Sequence, residues 1–123
     1  MKVVTIISIS LFALFASVSI CLLLNKKTLL DNEVKSVLLD VYKLEHSYKR
    51  LFGSFTKNTY ALAFTQDTLV TDGGKANYLI SLDEATDSTF KATAVSVVDF
   101  DGDGQYSLWQ VDETGNIIEI AED

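Results

Sequence analysis

Three acidic side chains at alternating positions are the residues of this chain best suited to chemistry. Asp99, Asp101 and Asp103 are followed by Gly104. Carboxylates with this spacing can converge on one hard cation such as Ca²⁺, and the glycine permits the sharp bend that brings them together. The segment matches the first half of a calcium-binding loop, so these three aspartates are the candidate metal ligands of the chain.

The second half of such a loop is incomplete. Gln105 could add a backbone carbonyl and Ser107 a hydroxyl or a water, but the twelfth position is Gln110 rather than a bidentate glutamate. Asp112 and Glu113 lie nearby but out of register. The flanking segments alternate like strands and not like the helices of an EF-hand. The residues therefore favour a plain hairpin turn with solvated acids, and calcium binding is the alternative.

No other group of residues indicates catalysis or a cofactor. His46 is the only histidine and Cys21 the only cysteine, which excludes a His/Cys zinc cluster and an intramolecular disulfide. Glu45 stands beside His46, but it is predicted to lie on a solvated helix face. Because the sequence offers no nucleophile–base pair, phosphate loop or metal triad, we expect neither an enzyme nor a small-molecule substrate.

Charge divides the chain into two unequal parts. Up to Lys57 there are eight basic and four acidic residues, a balance of +4, and from Asn58 onward there are thirteen acidic residues and two lysines, a balance of −11. A surface this acidic is a poor candidate for binding nucleic acid, because it repels the phosphate backbone. The length of 123 residues suits one small domain plus an anchor.

The amino-terminal segment is apolar enough to be predicted to cross a bilayer. Val3 to Leu24 contains 22 residues without a charge. This length suits a spanning helix of about 20 residues better than a signal-peptide core of about 7–15. Two alternatives stay open. Ser17 and Ser19 could precede a signal-peptidase cut, and Val18 to Cys21 is a poor lipoprotein box because Ile20 is bulky.

The following segment has the period of an amphipathic helix. Its apolar residues recur at spacings of four and three residues, with two more that widen the stripe: Leu30, Val34, Val37, Val41, Leu44, Tyr48 and Leu51, then Leu38 and Phe52. Gly53 follows the last of them and is predicted to end the helix. The stripe is expected to pack on the chain's own sheet, and a coiled-coil seam to another subunit is the alternative.

Beyond this helix the period changes to two. Strands are predicted over Tyr78–Leu82, Phe90–Phe100, Tyr106–Asp112 and Asn116–Ile120, with turn residues between them. They predict an antiparallel four-stranded meander, one face of which the amphipathic helix must cover. The predicted fold is α+β: a long helix, membrane-spanning over residues 1–27, and a domain over residues 28–123.

Two stretches in this order resemble the type IV pilins and pseudopilins, nearest to the short pilins of delta-proteobacterial type. The first is VLLDVYKLEHSY, residues 37–48, followed by FGSF, residues 52–55; it is similar to the end of the pilin helix, xxIYxxExSYxxxxGxY. The second is FKATA, residues 90–94, followed by DFDGDG, residues 99–104, then LWQVD, residues 108–112, and Gly115. It is similar to the family's ending FTATAxxDLDGDGxxDxWxID…G.

The resemblance implies a structural subunit of a type IV pilus or of a type II secretion-like pseudopilus. Such a subunit is a single-pass protein of the bacterial inner membrane. Its C-terminal domain is periplasmic, or extracellular once it is in a filament. The implied partners are the inner membrane and other pilin-like subunits, contacted through the N-terminal helix, and not nucleic acid.

The chain departs from the family pattern at its amino terminus. Typical members have a glycine at a prepilin-peptidase site and a glutamate five residues into the mature helix. Here no Gly precedes residue 53 and no acid precedes Asp31. The departure keeps open a different function, a membrane-tethered extracytoplasmic module that binds calcium or a partner and does not polymerise.

Overall fold

The computed structural model describes the backbone of residues 2–122 and the side chains of residues 18–122. The chain forms two compact units, Met1–Asn32 and Glu33–Asp123. A single helix, α1, covers Lys2–Phe52. The sequence offers nothing to interrupt it, since it has neither Gly nor Pro before residue 53.

The first unit is helical throughout its described part, and its side chains from Val18 to Leu29 are exposed. The predicted membrane span, Val3 to Leu24, falls mostly outside the described side chains, which begin at residue 18. Within the part of the chain that is described, no helix combines the length and the apolar character needed to cross a membrane.

In the second unit, α1 buries one narrow stripe. Val34, Leu38 and Val41 are fully buried, and so is Glu45, which continues their spacing of four and three residues. The helix ends where predicted. The N–H of Gly53 donates to the carbonyl of Lys49 at 2.8 Å, and Gly53 has φ 82°, a conformation that glycine adopts without a steric cost.

Two predictions about which residues of α1 are buried were wrong. Leu51 and Phe52 are 76% and 67% exposed, not part of the buried stripe, whereas Glu45 is 1% exposed and not on a solvated face. The chain reverses at Gly53 and returns Phe55 to the core, where its ring lies 5.0 Å from that of Phe90. Phe55, three residues beyond the end of α1, is therefore a core residue, whereas Leu51 and Phe52 are not.

The predicted α+β architecture with a four-stranded antiparallel meander is confirmed within residues 2–122. After a short 3₁₀ helix, Val70–Asp72, the strands are β1 (Tyr78–Ala85), β2 (Phe90–Ser96), β3 (Leu108–Asp112) and β4 (Ile117–Ala121), in the order β1-β2-β3-β4. All three pairings are antiparallel. Strand β2 ends at Ser96 and not at Phe100, because the aspartate-rich segment forms a longer connection than a two-residue turn.

The inner face of the sheet carries the core. Its buried residues are Tyr78, Phe90, Ala92, Ala94, Trp109 and Val111. Ala92 and Ala94, in the middle of this face, have no exposed surface. The contact between helix and sheet is tight at the β3–β4 turn, where a Cβ added to Gly115 would lie 3.1 Å from the ring of Tyr42.

The carboxylate of Glu33 and the side-chain amide of Gln66 fix the start of β1. Glu33 accepts hydrogen bonds from the backbone N–H of Asn77 at 3.0 Å and from its side-chain amide at 2.9 Å. Gln66 donates to the carbonyl of Tyr78 at 3.1 Å and accepts from the N–H of Ile80 at 2.9 Å. The Gln66 amide thus makes the two bonds that a neighbouring strand would make at this edge.

The buried stripe of α1 makes a testable prediction. We expect Leu38→Ala to lower the free energy of unfolding by about 2–5 kcal/mol, because it leaves a cavity under the helix. Urea denaturation of the full chain in mild detergent, followed by the fluorescence of Trp109, measures the change. Leu39→Ala is the matched control, since Leu39 is 40% exposed and its loss should cost less than about 0.5 kcal/mol. Equal losses at both positions would contradict the orientation of α1.

Candidate functional site

The three candidate ligands come together in the connection between β2 and β3. Asp99, Asp101 and Asp103 each bring one carboxylate oxygen to within 4.8 Å of the other two. Asp101 and Asp103 are exposed and Asp99 is half-buried. The spacing in the sequence therefore predicted correctly which residues share this loop and approach one another.

Backbone N–H groups hold these carboxylates in place. Asp99 accepts from Gly102 at 2.9 Å and from Gly104 at 2.6 Å, one bond on each carboxylate oxygen. Asp101 accepts from the N–H of Asp103 at 3.1 Å, and Asp103 accepts from that of Gln105 at 2.8 Å. The loop is thus a series of turns closed by its own acids, and it differs from the tight hairpin with solvated acids that the sequence favoured.

The same bonds favour the charged form of Asp99. Desolvation is the largest single effect and acts to raise the pKa of this carboxyl. Hydrogen bonds from the N–H groups of Gly104 and Gly102, with further ones from Asp101 and Asp103, together outweigh it, and the pKa is lowered from its ordinary value. An ionised cluster of hard oxygen atoms suits Ca²⁺, which takes six to eight oxygen ligands. Three carboxylates supply part of that set, and water or backbone carbonyls would have to supply the rest.

The further ligands considered from the sequence are used elsewhere. Ser107 is buried, and its hydroxyl accepts a hydrogen bond from the indole N–H of Trp109 at 2.9 Å. Gln110 pairs with Thr93 in the middle of the sheet. Asp112 lies at the far end of β3 and accepts a hydrogen bond from the backbone of Thr114 at 3.0 Å. The structure brings none of these side chains into the aspartate cluster.

A buried carboxyl group on α1 was missed by the sequence interpretation. Glu45 accepts a hydrogen bond from the N–H of Thr56 at 3.0 Å through Oε2, whereas its buried Oε1 has no hydrogen-bond partner among the described residues. Next to it, Nε2 of His46 lies 2.8 Å from the carbonyl oxygen of Glu113 and must be the donor, because a carbonyl only accepts. Glu45 and His46 therefore bind separate backbone groups and form no acid–base pair with each other.

Burial is the largest influence on the pKa of Glu45. Desolvation raises the pKa of this carboxyl, and the opposing effects of the Thr56 N–H and of His46 do not cancel it. The signal that could have revealed the burial was present in the sequence. Residues 34, 38, 41 and 45 continue one spacing, but the polarity of glutamate made a solvated position the obvious expectation.

Comparison of the chain with protein-family models and with curated proteins gives no match. The resemblance to pilins thus rests on the sequence stretches at residues 37–55 and 90–115.

The buried acid predicts a pH dependence of stability. A folded-state pKa raised above the ordinary value of 4.5 means that the contribution of Glu45 is fully present below that value and is lost as pH rises through the folded-state pKa. The urea concentration at the midpoint of unfolding should therefore decrease as the pH is raised from 4.5. Glu45→Gln keeps an acceptor for Thr56 but carries no charge, so its midpoint should fall less. Asp40→Asn, on the exposed surface of α1, should keep the wild-type fall, and identical profiles for all three proteins would contradict the prediction.

Proposed function

We propose that this protein is a structural subunit of a type IV pilus or a type II secretion-like pseudopilus. The observation that carries the proposal is the continuity of α1 over 51 residues. The helix begins in an uncharged apolar stretch, and its C-terminal part lies on an antiparallel four-stranded meander. The two sequence stretches that resemble pilins map onto the end of this helix and onto β2, β3 and the loop between them.

The proposed role needs an apolar helix that is stable in two surroundings. In the inner membrane, Val3 to Leu24 would lie in lipid as a single span, with the acidic domain in the periplasm. In a filament, the same residues would lie among the N-terminal helices of other subunits. Both surroundings exclude water from apolar side chains, so the transfer exchanges one apolar environment for another. Catalysis, a small-molecule substrate and nucleic acid play no part in this role.

The anchor provides the test of this proposal. Leu14→Arg places a charge in the middle of the span, which costs about 2.5–3.5 kcal/mol on insertion scales. We expect the wild-type chain in the membrane fraction and in a sheared, pelletable filament fraction, and the variant to be depleted from both. Leu14→Met keeps the apolar character and should behave like the wild type.

Two further measurements test the proposal: the position of the mature amino terminus, and the side of the membrane on which the C-terminal domain lies. Mass spectrometry of a chain recovered from filaments should show whether it is processed near residues 1–8. Protease added to spheroplasts should remove the domain beyond Lys57. A wild-type chain found only in the soluble fraction, or a domain digested only after lysis, would contradict the proposal.

A second function is favoured by the aspartate cluster, namely a membrane-tethered module that binds calcium and does not polymerise. Its support is the approach of three carboxylate oxygens within 4.8 Å of one another. Three negative charges at this distance repel one another, so a divalent cation between them would relieve the repulsion. The missing family glutamate before Asp31 also favours a protein that stays in the membrane.

Calcium binding has a direct test. A ligand that binds only the folded form stabilises it by about 2.7 kcal/mol at a hundredfold excess over Kd, so millimolar calcium should raise the melting temperature by several degrees. Asp101→Asn combined with Asp103→Asn should abolish the rise. The matched control, Asp72→Asn with Asp87→Asn, removes two exposed acids elsewhere and should retain it. Identical melting curves in calcium and in chelator would eliminate this function and leave a turn only.

A further inference from the structure

The last turn of α1 exposes two large apolar side chains. Leu51 and Phe52 are 76% and 67% exposed. The ring of Phe52 lies 4.6 Å from that of Tyr48, which holds it against the helix. Arg50 is exposed in the same turn. We call Leu51 and Phe52 the helix-end knob. Two large apolar side chains are thus exposed side by side next to a charged one, and contiguous apolar surface rimmed by polar residues is what interaction sites present.

A concave surface lies elsewhere in the same unit. It is a groove of about 500 Å³ between α1 and the chain segments at residues 63–67 and 76–78. Its apolar lining includes Val37, Leu44, Phe64 and Tyr78. Four charged side chains also line it, and they are Glu33, Asp40, Asp67 and Lys43, so the formal charge of the lining is −2. We call this surface the helix–loop groove.

Knob and groove match in size, polarity and charge. The volume of the groove is within the range of about 300–1,000 Å³ that encloses a ligand, which is enough for a leucine and a phenylalanine side chain. Its apolar lining suits those side chains, and its excess of carboxylates suits the guanidinium of Arg50. The other cation of the last turn, Lys49, is already engaged, because its ammonium group donates to the carbonyl of Asp87.

A chain cannot place its own knob in its own groove. Both surfaces include residues of α1, and Leu44 in the groove is separated from Leu51 by about 10 Å of rigid helix at 1.5 Å per residue. A helix-end knob that enters this groove therefore belongs to another molecule. A contact between two different surfaces of the same chain is heterologous, so it leaves a knob and a groove open at the two ends and can repeat without limit.

We propose that the helix-end knob of one copy docks in the helix–loop groove of the next copy. The inference rests on the proposed function, since it names the surface through which neighbouring subunits of a filament contact each other outside the apolar helix. The competing isologous contact, knob against knob, would bring two Arg50 guanidinium groups together. Like charges disfavour that arrangement, whereas the carboxylates of the groove favour the heterologous one.

Disulfide trapping in the full-length chain tests the contact. In a Cys21→Ser background, chains with Leu51→Cys are co-expressed with tagged chains carrying Thr65→Cys or Asp40→Cys, both exposed positions that line the groove. Mild oxidation should give a mixed dimer from the two kinds of chain, and little dimer from either kind alone. One chain that carries both Leu51→Cys and Thr65→Cys should give a ladder beyond the dimer. Ser88→Cys, exposed in the β1–β2 turn, replaces the groove cysteine as the control and should give no mixed dimer.

Removal of the knob supplies the second measurement. Leu51→Ser with Phe52→Ser should reduce the pelletable filament fraction at least tenfold, while the melting temperature stays within about 2 °C of the wild type because both side chains are exposed. Tyr60→Ser removes an aromatic side chain that is 92% exposed but belongs to neither surface, and it should leave the filament fraction unchanged.

The outcomes separate this inference from the proposed function. Dimers formed by the Leu51→Cys chain alone would replace the heterologous contact with the isologous one and overturn the inference. Filaments without any mixed dimer, or filaments unaffected by the loss of the knob, would overturn it and leave the pilin-like function standing. A chain that forms neither mixed dimers nor filaments would overturn both.

Discussion

The close contact between α1 and the inner face of the sheet is the constraint on which the rest of the domain depends. Val34, Leu38 and Val41 are fully buried, and Ala92 and Ala94 opposite them have no exposed surface. A sheet with one apolar face needs a second layer to cover it, and within the described residues only α1 is long enough to do so. The same two layers also meet at the end of the sheet, where the absence of a side chain at Gly115 leaves room for the ring of Tyr42.

In three places a carboxylate accepts hydrogen bonds from the N–H groups of a nearby segment, and the consequences differ. Glu33 accepts hydrogen bonds from two N–H groups of Asn77. Asp99 accepts hydrogen bonds from the N–H groups of Gly102 and Gly104. In both acids each carboxylate oxygen has a partner and lies near the surface. Glu45 accepts a hydrogen bond only from the N–H of Thr56 and is enclosed by the core. Its other carboxylate oxygen therefore loses its hydration and gains no hydrogen bond among the described residues in exchange. Each group fixes a loop whose backbone donors would otherwise lack partners. In the buried case the N–H of Thr56 favours the charged carboxylate, but the loss of hydration outweighs it and raises the pKa of Glu45.

Hydrophobic periodicity was sufficient to predict the helix, its end at Gly53, the four strands and their order as a meander. The alternating spacing of Asp99, Asp101 and Asp103, with Gly104 after them, was sufficient to place the three in one loop. Hydrophobic periodicity failed for residues whose burial depends on distant segments. Phe55 is buried after the turn while Leu51 and Phe52 are exposed, and a stripe counted along the helix contains no information about a residue that lies beyond its end. Glu45 has the spacing of a core residue and the chemistry of a surface residue, and only the position of the Thr56 N–H explains how the chain accommodates both. The helix–loop groove depends on three chain segments at once, so no local pattern could indicate it.

The Gln66 amide has a consequence for how this chain can misassemble. A sheet grows into a fibril by strand addition only if each molecule offers two usable edges, one for each neighbour. At β1 the carbonyl of Tyr78 and the N–H of Ile80 are already bonded to Gln66, whereas β4 is the terminal strand of the described sheet on the other side. In the language of polymer chemistry, the Gln66 amide caps the first part of one propagating edge. Strand addition that starts at Tyr78 must displace this amide, whereas addition at β4 need not.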